Sequence, residues 1–431
     1  MSSDWKEITL DKALDINPVV KLSRGEIYPF VDMQAVEIGQ KFVMPKQNRE
    51  FKGSGSKFLD GDTLMARITP CLENGKISRY RAPDGQAIAH GSTEFIVLRH
   101  REGITVEEFV YYLVISDQVK PYAIAQMTGS SGRQRVPVDS FKHLTIKLPL
   151  PPEQRSIASI LKALDDKIEL NQKMCKTLEN TASTLFKSWF IDFDPVKAKS
   201  DGREPEGLGP DLAALFPDSF EDSPLGKIPK GWGISVAYDW AEYINGAAYK
   251  NMHFTDDPEA LPVIKIAELK NGISGQTKYT NSDLGDKFRI NTGDILFSWS
   301  GSPETSIDTF LWVGGKAWLN QHIFKILPKA NGNRAFVYFL LKHLKPVFIH
   351  IAKNKQTTGL GHVTVRDLKE LKITKPGPAL LEAYEKIASP LLKRVQQIME
   401  QNMKLSKVRN ALLPKLISGE LRVEDVETAN G

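Results

Sequence analysis

The chain of 431 residues carries 57 basic against 52 acidic side chains, a net charge of +5, with 41% apolar and 25% charged residues. This is the composition of a globular chain with room for two domains of ordinary size, and its mild basicity permits nucleic-acid binding through local patches without demanding it. The longest apolar runs, near residues 109–115 and 335–341, are seven residues, too short to span a bilayer, and no charged leader with an apolar core opens the sequence.

Neither secretion nor membrane spanning is therefore supported, and a cytoplasmic location is expected. Cys71 and Cys175 lie far apart in sequence, which argues against a disulfide framework or a cysteine zinc site.

In chain order, residues 27–33, 57–68 and 87–98 are short mixed segments broken by Gly, Pro and Asn, the pattern of strands and turns in an α+β domain. Gly61 and Asp62 supply a turn before a strand, and residues 107–116 predict a short amphipathic helix. Residues 129–135 (GSSGRQR) form a flexible, donor-rich loop. After the proline-rich stretch at 148–152, which cannot continue a strand, residues 153–190 change character. Steps of four and three from Ile157 reach Leu161, Leu164, Ile168, Asn171, Cys175, Leu178, Ala182, Leu185 and Trp189. A long helix with so narrow an apolar stripe requires a partner helix, and the lone polar Asn171 either fixes the register or is locally solvated. Residues 196–230, rich in Pro, Gly and charge, read as a linker.

The chain then repeats itself. Residues 109–114 (FVYYLV) return at 336–341 (FVYFLL), and 136–149 (VPVDSFKHLTIKLP) return at 363–376 (VTVRDLKELKITKP), both displaced by 227 residues. Gly61 and Asp62 return as Gly293 and Asp294. Two copies of a whole unit, rather than a solenoid of short repeats, follow from so constant a displacement. The second copy supplies the partner helix, with Leu380, Tyr384, Ile387, Leu391, Ile398, Leu405, Val408 and Leu412 on the same spacing. Pro390 is expected in the first turn of a new helix. The domains predicted are 1–150, a central helix over 151–195, the linker 196–230, a second domain 231–377 and a distal helix 378–420. If the helices pair antiparallel, the copies sit at opposite ends of a rod of about 55 Å, longer than the ~34 Å between DNA half-sites one turn apart.

No chemistry of catalysis emerges. There is no phosphate-binding GxxxxGK[ST] loop, no tetrapeptide of the kind that holds an exocyclic amine for methyl transfer, and no pair of histidines at metal-ligand spacing. The donor-rich loops that remain could follow a phosphate backbone or reach a base edge, the role that the family resemblance given below implies for them. Ser131, Arg133, Gln134 and Arg135 lie in the loop of the first copy, and Lys355, Gln356, Thr357 and His362 lie at the same place in the second. Arg67, Lys76, Ser92, Gln321 and His322 are further candidates. Arg suits guanine and Gln suits adenine.

Five motifs in order carry a family resemblance: GDTLMARITPCLENGK at 61–76, LPLPPEQR at 148–155, LFKSWFIDF at 185–193, SPLGKIPKGW at 223–232 and LLPKLISGEL at 412–421. With these the chain resembles a specificity subunit of a Type I restriction-modification system. The resemblance implies an α+β fold of two β-rich target recognition domains, a tandem pseudo-twofold repeat, each followed by a long helix, the two helices pairing as an antiparallel coiled coil. Each domain would read one half of a split, asymmetric site in double-stranded DNA, while the helices set the spacer and dock two modification subunits. The chain itself would hold no cofactor. S-adenosylmethionine would belong to the modification subunits, and ATP and Mg to the restriction and translocation subunits of the full complex. One departure stands out: the second copy has Trp299, Ser300, Gly301 and Ser302 where the first has its RITP run. Two alternatives remain open on sequence, a coiled-coil scaffold that binds no nucleic acid and a stand-alone methyltransferase. Convergence of basic residues on one surface, steep salt dependence of DNA binding and a cofactor-binding assay separate them.

Overall fold

A computed structural model describes residues 5–83, 86–130, 132–329, 333–356 and 359–423. The chain divides into two compact units, residues 1–169 with 404–431, and residues 170–403.

In unit 1 the main sheet has the order Leu14–Ile16, Phe95–His100, Thr63–Ala66, Ile77–Tyr80, Phe42–Val43, and a second sheet has the order Gln47–Glu50, Ile27–Val31, Ile88–Gly91, Ser56–Leu59. The strands at 63–66 and 77–80 are buried along their whole length, as strands covered on both faces must be. Their side chains divide by the two-residue period. Met65, Ile96 and Leu98 pack towards the helices, while Leu64, Phe95 and Val97 join Phe58 and Val31 of the second sheet. The helix Glu107–Ile115, expected to be amphipathic, is buried from Phe109 to Val114 without a solvent face, because core covers it on every side.

Unit 2 repeats this plan. Its main sheet runs Ala241–Asn245, Ile323–Pro328, Ile295–Ser298, Asp308–Leu311, and its second sheet Tyr279–Thr280, Leu261–Ile264, Ala317–Leu319, Arg289–Ile290. Each second sheet keeps one parallel pair, 30–31 with 90–91 and 263–264 with 318–319. The Gly-Asp turns are the same device twice. Gly61 and Gly293 take positive φ, which a side chain disfavours. Asp62 accepts from Leu59 N at 2.7 Å and Asp294 from Asn291 N at 2.9 Å. Each carboxylate also meets a cation on the neighbouring strand, Arg99 or Lys325.

Two long helices complete the fold, Pro151–Phe190 and Pro378–Ser418. The prolines at 151 and 152 occupy the first turn, where a missing N–H costs nothing. Each helix is tied into a domain by a polar side chain in its first turns. Gln154 accepts from Val106 N at 2.8 Å and donates to the carbonyls of Ile104 and Pro149. Glu385 accepts from Phe336 N at 2.7 Å, at the start of the helix Arg334–His343, where a carboxylate also complements the helix dipole.

The helices pair antiparallel. Within unit 2, Asn171 donates to Gln401 and Asn402 at 3.0 and 2.8 Å, Cys175 Sγ lies 3.8 Å from the Val395 carbonyl, and Tyr384 donates to the Ala182 carbonyl at 3.1 Å. Partners thus descend along the distal helix as residues ascend the central one. Asn171 is buried and satisfied. Within unit 1, Ile157 and Leu161 share a core with Leu413, Leu416 and Ile417, and Arg409 reaches Asp165 at 2.7 Å. Leu164, Ile168, Leu178, Leu185, Leu391, Leu405 and Leu412 are half-buried, and Leu380 and Ile398 are buried.

Three expectations need correction. The distal helix runs straight through Pro390 rather than starting there, because flanking Ala388 and Leu392 are locked in the core and hold the turn despite one lost hydrogen bond. Ile387 and Val408 are 39% and 47% exposed; the buried stripe passes through Ala388, Leu392, Val395 and the half-buried Arg409 instead. The segment 196–230 is not bare linker. It holds the helices Asp194–Ser200 and Pro210–Ala213 and a hairpin, and buries Val196, Phe216 and Ile228 in the unit 2 core. Among the described residues no single helix is long and apolar enough to cross a membrane. The bent pair Arg334–His343 and Lys345–Asn354 has the composition, but its Phe336, Leu340, Phe348 and Ala352 are buried in that same core.

Candidate nucleic-acid interface

In each unit the strand that follows the Gly-Asp turn ends at a residue pinned between two others by its backbone. In unit 1 that residue is Arg67, whose N–H donates to the Glu94 carbonyl at 2.9 Å and whose carbonyl accepts from Val136 N at 2.8 Å. In unit 2 it is Trp299, bonded in the same way to His322 and Val363 at 3.4 and 2.8 Å. The next residues also correspond, Ile68 pairing with Arg135 and Ser300 with His362. One backbone frame therefore presents Arg67, Glu94 and Arg135 in the first unit and Trp299, His322 and His362 in the second.

The chemistry differs sharply between the two. Around Glu94, Arg135 donates through Nε and one terminal nitrogen, the closest contact being 2.7 Å. This hydrogen bonding and the nearby Arg67 hold the Glu94 carboxyl below its usual range despite partial burial. Arg67 gives one terminal N–H to the Val136 carbonyl at 3.1 Å, while its Nε is buried without a partner. In unit 2 the Trp299 ring stands 5.6 Å from His322 and donates through Nε1 to Asn245 at 3.0 Å. Gln321 is half-buried and its Oε1 has no partner.

The remaining candidates fall in three groups. Arg133 and Gln356 are exposed, and Gln134 is half-buried with its backbone held by Thr69. The loop at 129–135 is thus pinned at its end rather than free, since Thr128 and Arg135 also exchange backbone hydrogen bonds. Lys76, Ser92 and Lys355 are committed internally. Lys76 donates to the Met33 carbonyl at 2.7 Å, Ser92 Oγ accepts from Glu94 N at 3.1 Å, and Lys355 pairs with Asp367. Ser131 and Thr357 lie outside the described residues.

Sequence reasoning passed over Glu94, Asn245 and Trp299 as site residues. The signal for Trp299 was available, since it stands six residues after Gly293 as Arg67 stands six after Gly61. Glu94 and Asn245 left no such trace, because only the fold brings them to the frame. Among the described residues no group of His, Cys, Asp and Glu could hold a metal ion.

A frame used twice with its side chains exchanged is the build of a two-headed recognition protein. The Type I restriction modification DNA specificity domain matches residues 26–180 and again 229–405, and the chain belongs to that family. It is similar to the HindI specificity subunit of Haemophilus influenzae, 26% identical over 97% of this chain and 100% of the relative. It is also similar to the MjaIX specificity subunit of Methanocaldococcus jannaschii, 27% identical over 76% of this chain and 71% of the relative. Among solved structures, the S subunit from M. genitalium aligns over 96% of each chain with a TM-score of 0.49 at 15% identity. By its membership of that family the chain is the DNA-sequence-specificity subunit of a Type I restriction-modification complex, reading a bipartite site through its two recognition domains and working with modification and restriction subunits. The scaffold and stand-alone methyltransferase alternatives fall with that assignment.

Proposed function

We propose that the two side-chain clusters on the shared frame are the surfaces that read the two half-sites. The supporting observation is the exchange of Arg67, Glu94 and Arg135 for Trp299, His322 and His362 on equivalent backbone. Exposed Arg133 and Gln356, together with Gln134 and Gln321, complete the contact set, and Ser131 and Thr357 remain candidates beside them. Lys76, Ser92 and Lys355 shape the loops that carry it. Arg67 and Arg135 suit guanine edges or phosphates, whereas a Trp and two His offer stacking faces and single hydrogen bonds.

The paired long helices set the spacer between half-sites and dock two modification subunits, which bring S-adenosylmethionine. Restriction and translocation subunits with ATP and Mg join in the full complex, and the assembly works on DNA in the cytoplasm. The domain limits 1–150, 151–195, 196–230, 231–377 and 378–420 are proposed as the exchangeable parts, with 196–230 travelling with the second domain that it packs against. A map of N6-methyladenine in DNA from cells with and without this gene tests the reading. One bipartite motif should lose its methylation; an unchanged map would refute it.

A further inference from the structure

Among the described residues, the most exposed large apolar side chain of each unit is Val19 at 90% in unit 1 and Met252 at 83% in unit 2. Both sit at the same place in the plan, in the segment leaving the edge strand of the main sheet, Leu14–Ile16 or Ala241–Asn245, before the second sheet begins. In unit 1 that segment borders the reading frame, because Val19 lines a cleft with Asn17, Lys57, Arg67 and Thr93.

The presentation of Val19 is built rather than incidental. Asn17 holds a left-handed backbone with φ 50°, and both its N–H and its side-chain oxygen bond to Val97, at 2.7 and 2.9 Å. Pro18 fixes the next turn of chain, and Val20 is buried at 7% exposure. A β-branched side chain on such a support has little rotamer freedom to lose on contact. An apolar tip beside an arginine and a lysine suits a surface that carries both an apolar spot and polar edges. Base edges in the major groove have this character at thymine, whose 5-methyl group lies beside hydrogen-bonding atoms. Valine is too short for the wedge role that Phe, Leu, Ile or Met play between base steps.

We propose that Val19 is a specificity-determining residue that packs against the 5-methyl group of a thymine in the half-site read by unit 1. This rests on the reading of that unit as a DNA-binding surface. The test uses the specificity subunit assembled with its modification partner and duplexes carrying the methylated bipartite site. Each thymine is replaced in turn by uracil, which removes the methyl alone. One position should weaken binding about fourfold, the equivalent of ~0.8 kcal/mol for one buried methyl-sized group, and the Val19→Ser complex should be indifferent to that replacement while still binding the site. Specific binding with no uracil-sensitive thymine, or sensitivity that survives in Val19→Ser, overturns the proposal and leaves the parent reading intact. Absence of any sequence-specific binding by the wild-type complex would instead overturn the parent reading, and this proposal with it.

Discussion

Replacing Asp165 by alanine should destabilise unit 1 more than any surface change to the central helix. Asp165 is 6% exposed. Its two oxygens accept from Tyr112 Oη at 2.8 Å and Arg409 at 2.7 Å, and Tyr112 Oη accepts in turn from Lys41 Nζ at 2.9 Å. The pair is screened little by water, with the Arg409 side chain 14% and that of Asp165 5% exposed. Removing the carboxylate leaves a shielded guanidinium and a buried hydroxyl without their acceptor, and breaking such a pair costs about 3–5 kcal/mol. For a unit near 200 residues, ~2–4 °C of Tm follows each kcal/mol, so the unit 1 transition should fall by roughly 6–20 °C in differential scanning calorimetry. Asp165→Leu with Arg409→Leu should recover part of that loss, because the Arg409 guanidinium is then no longer left shielded without its carboxylate. A shift below about 2 °C for Asp165→Ala, with cooperativity unchanged, would refute the argument that this network ties the domain to both helices.

Burial pushes the Lys41 ammonium down to about 8 from its ordinary 10.5. Between those values the unfolded chain binds more protons, so this group's contribution to stability grows as pH rises through the window, by an amount on the order of 3 kcal/mol over the whole of it and about 2 kcal/mol between pH 7.5 and 9.5; urea midpoints at those two pH values should show the rise in the wild type and a smaller one in Lys41→Met. Trp299→Ala removes the ring beside His322 and the bond to Asn245, and should weaken one half-site by roughly 10–100-fold, since a good base contact is worth ~1–3 kcal/mol; methylation mapping should show that half alone becoming degenerate. Duplicating residues 173–179 in the central helix together with the facing heptad 392–398 keeps the seam in phase and adds about 10 Å, so the preferred gap between half-sites should lengthen by about three base pairs, as read from the methylated motif.

Much of the fold was legible because it is stated twice. The repeat located the paired Gly-Asp turns, and the apolar spacing after the prolines located the central helix and its seam from Ile157 to Trp189, where none of the ten positions is exposed. The distal helix was harder to read. It packs against a domain core as well as its partner, so Leu381, Tyr384, Ala388, Leu392 and Val395 make a broader stripe than a strict heptad, and counting in sevens drifts off it to Ile387 and Val408. Pro390 misled because local propensity was read without the packing that overrides it. At the site, Arg67 and the 129–135 loop were visible from donor chemistry. That Arg135 is tied to Glu94, and Lys355 to Asp367, depends on contacts between segments tens of residues apart or across a turn, which residue type alone does not reveal.

The most direct test of independent half-site reading is to replace residues 196–376 with the corresponding segment of a relative that has a different target, then map N6-methyladenine in cells carrying the hybrid. One half of the bipartite motif should change to the relative's, with the other half and the gap preserved. A motif altered in both halves, or in neither, would contradict the account.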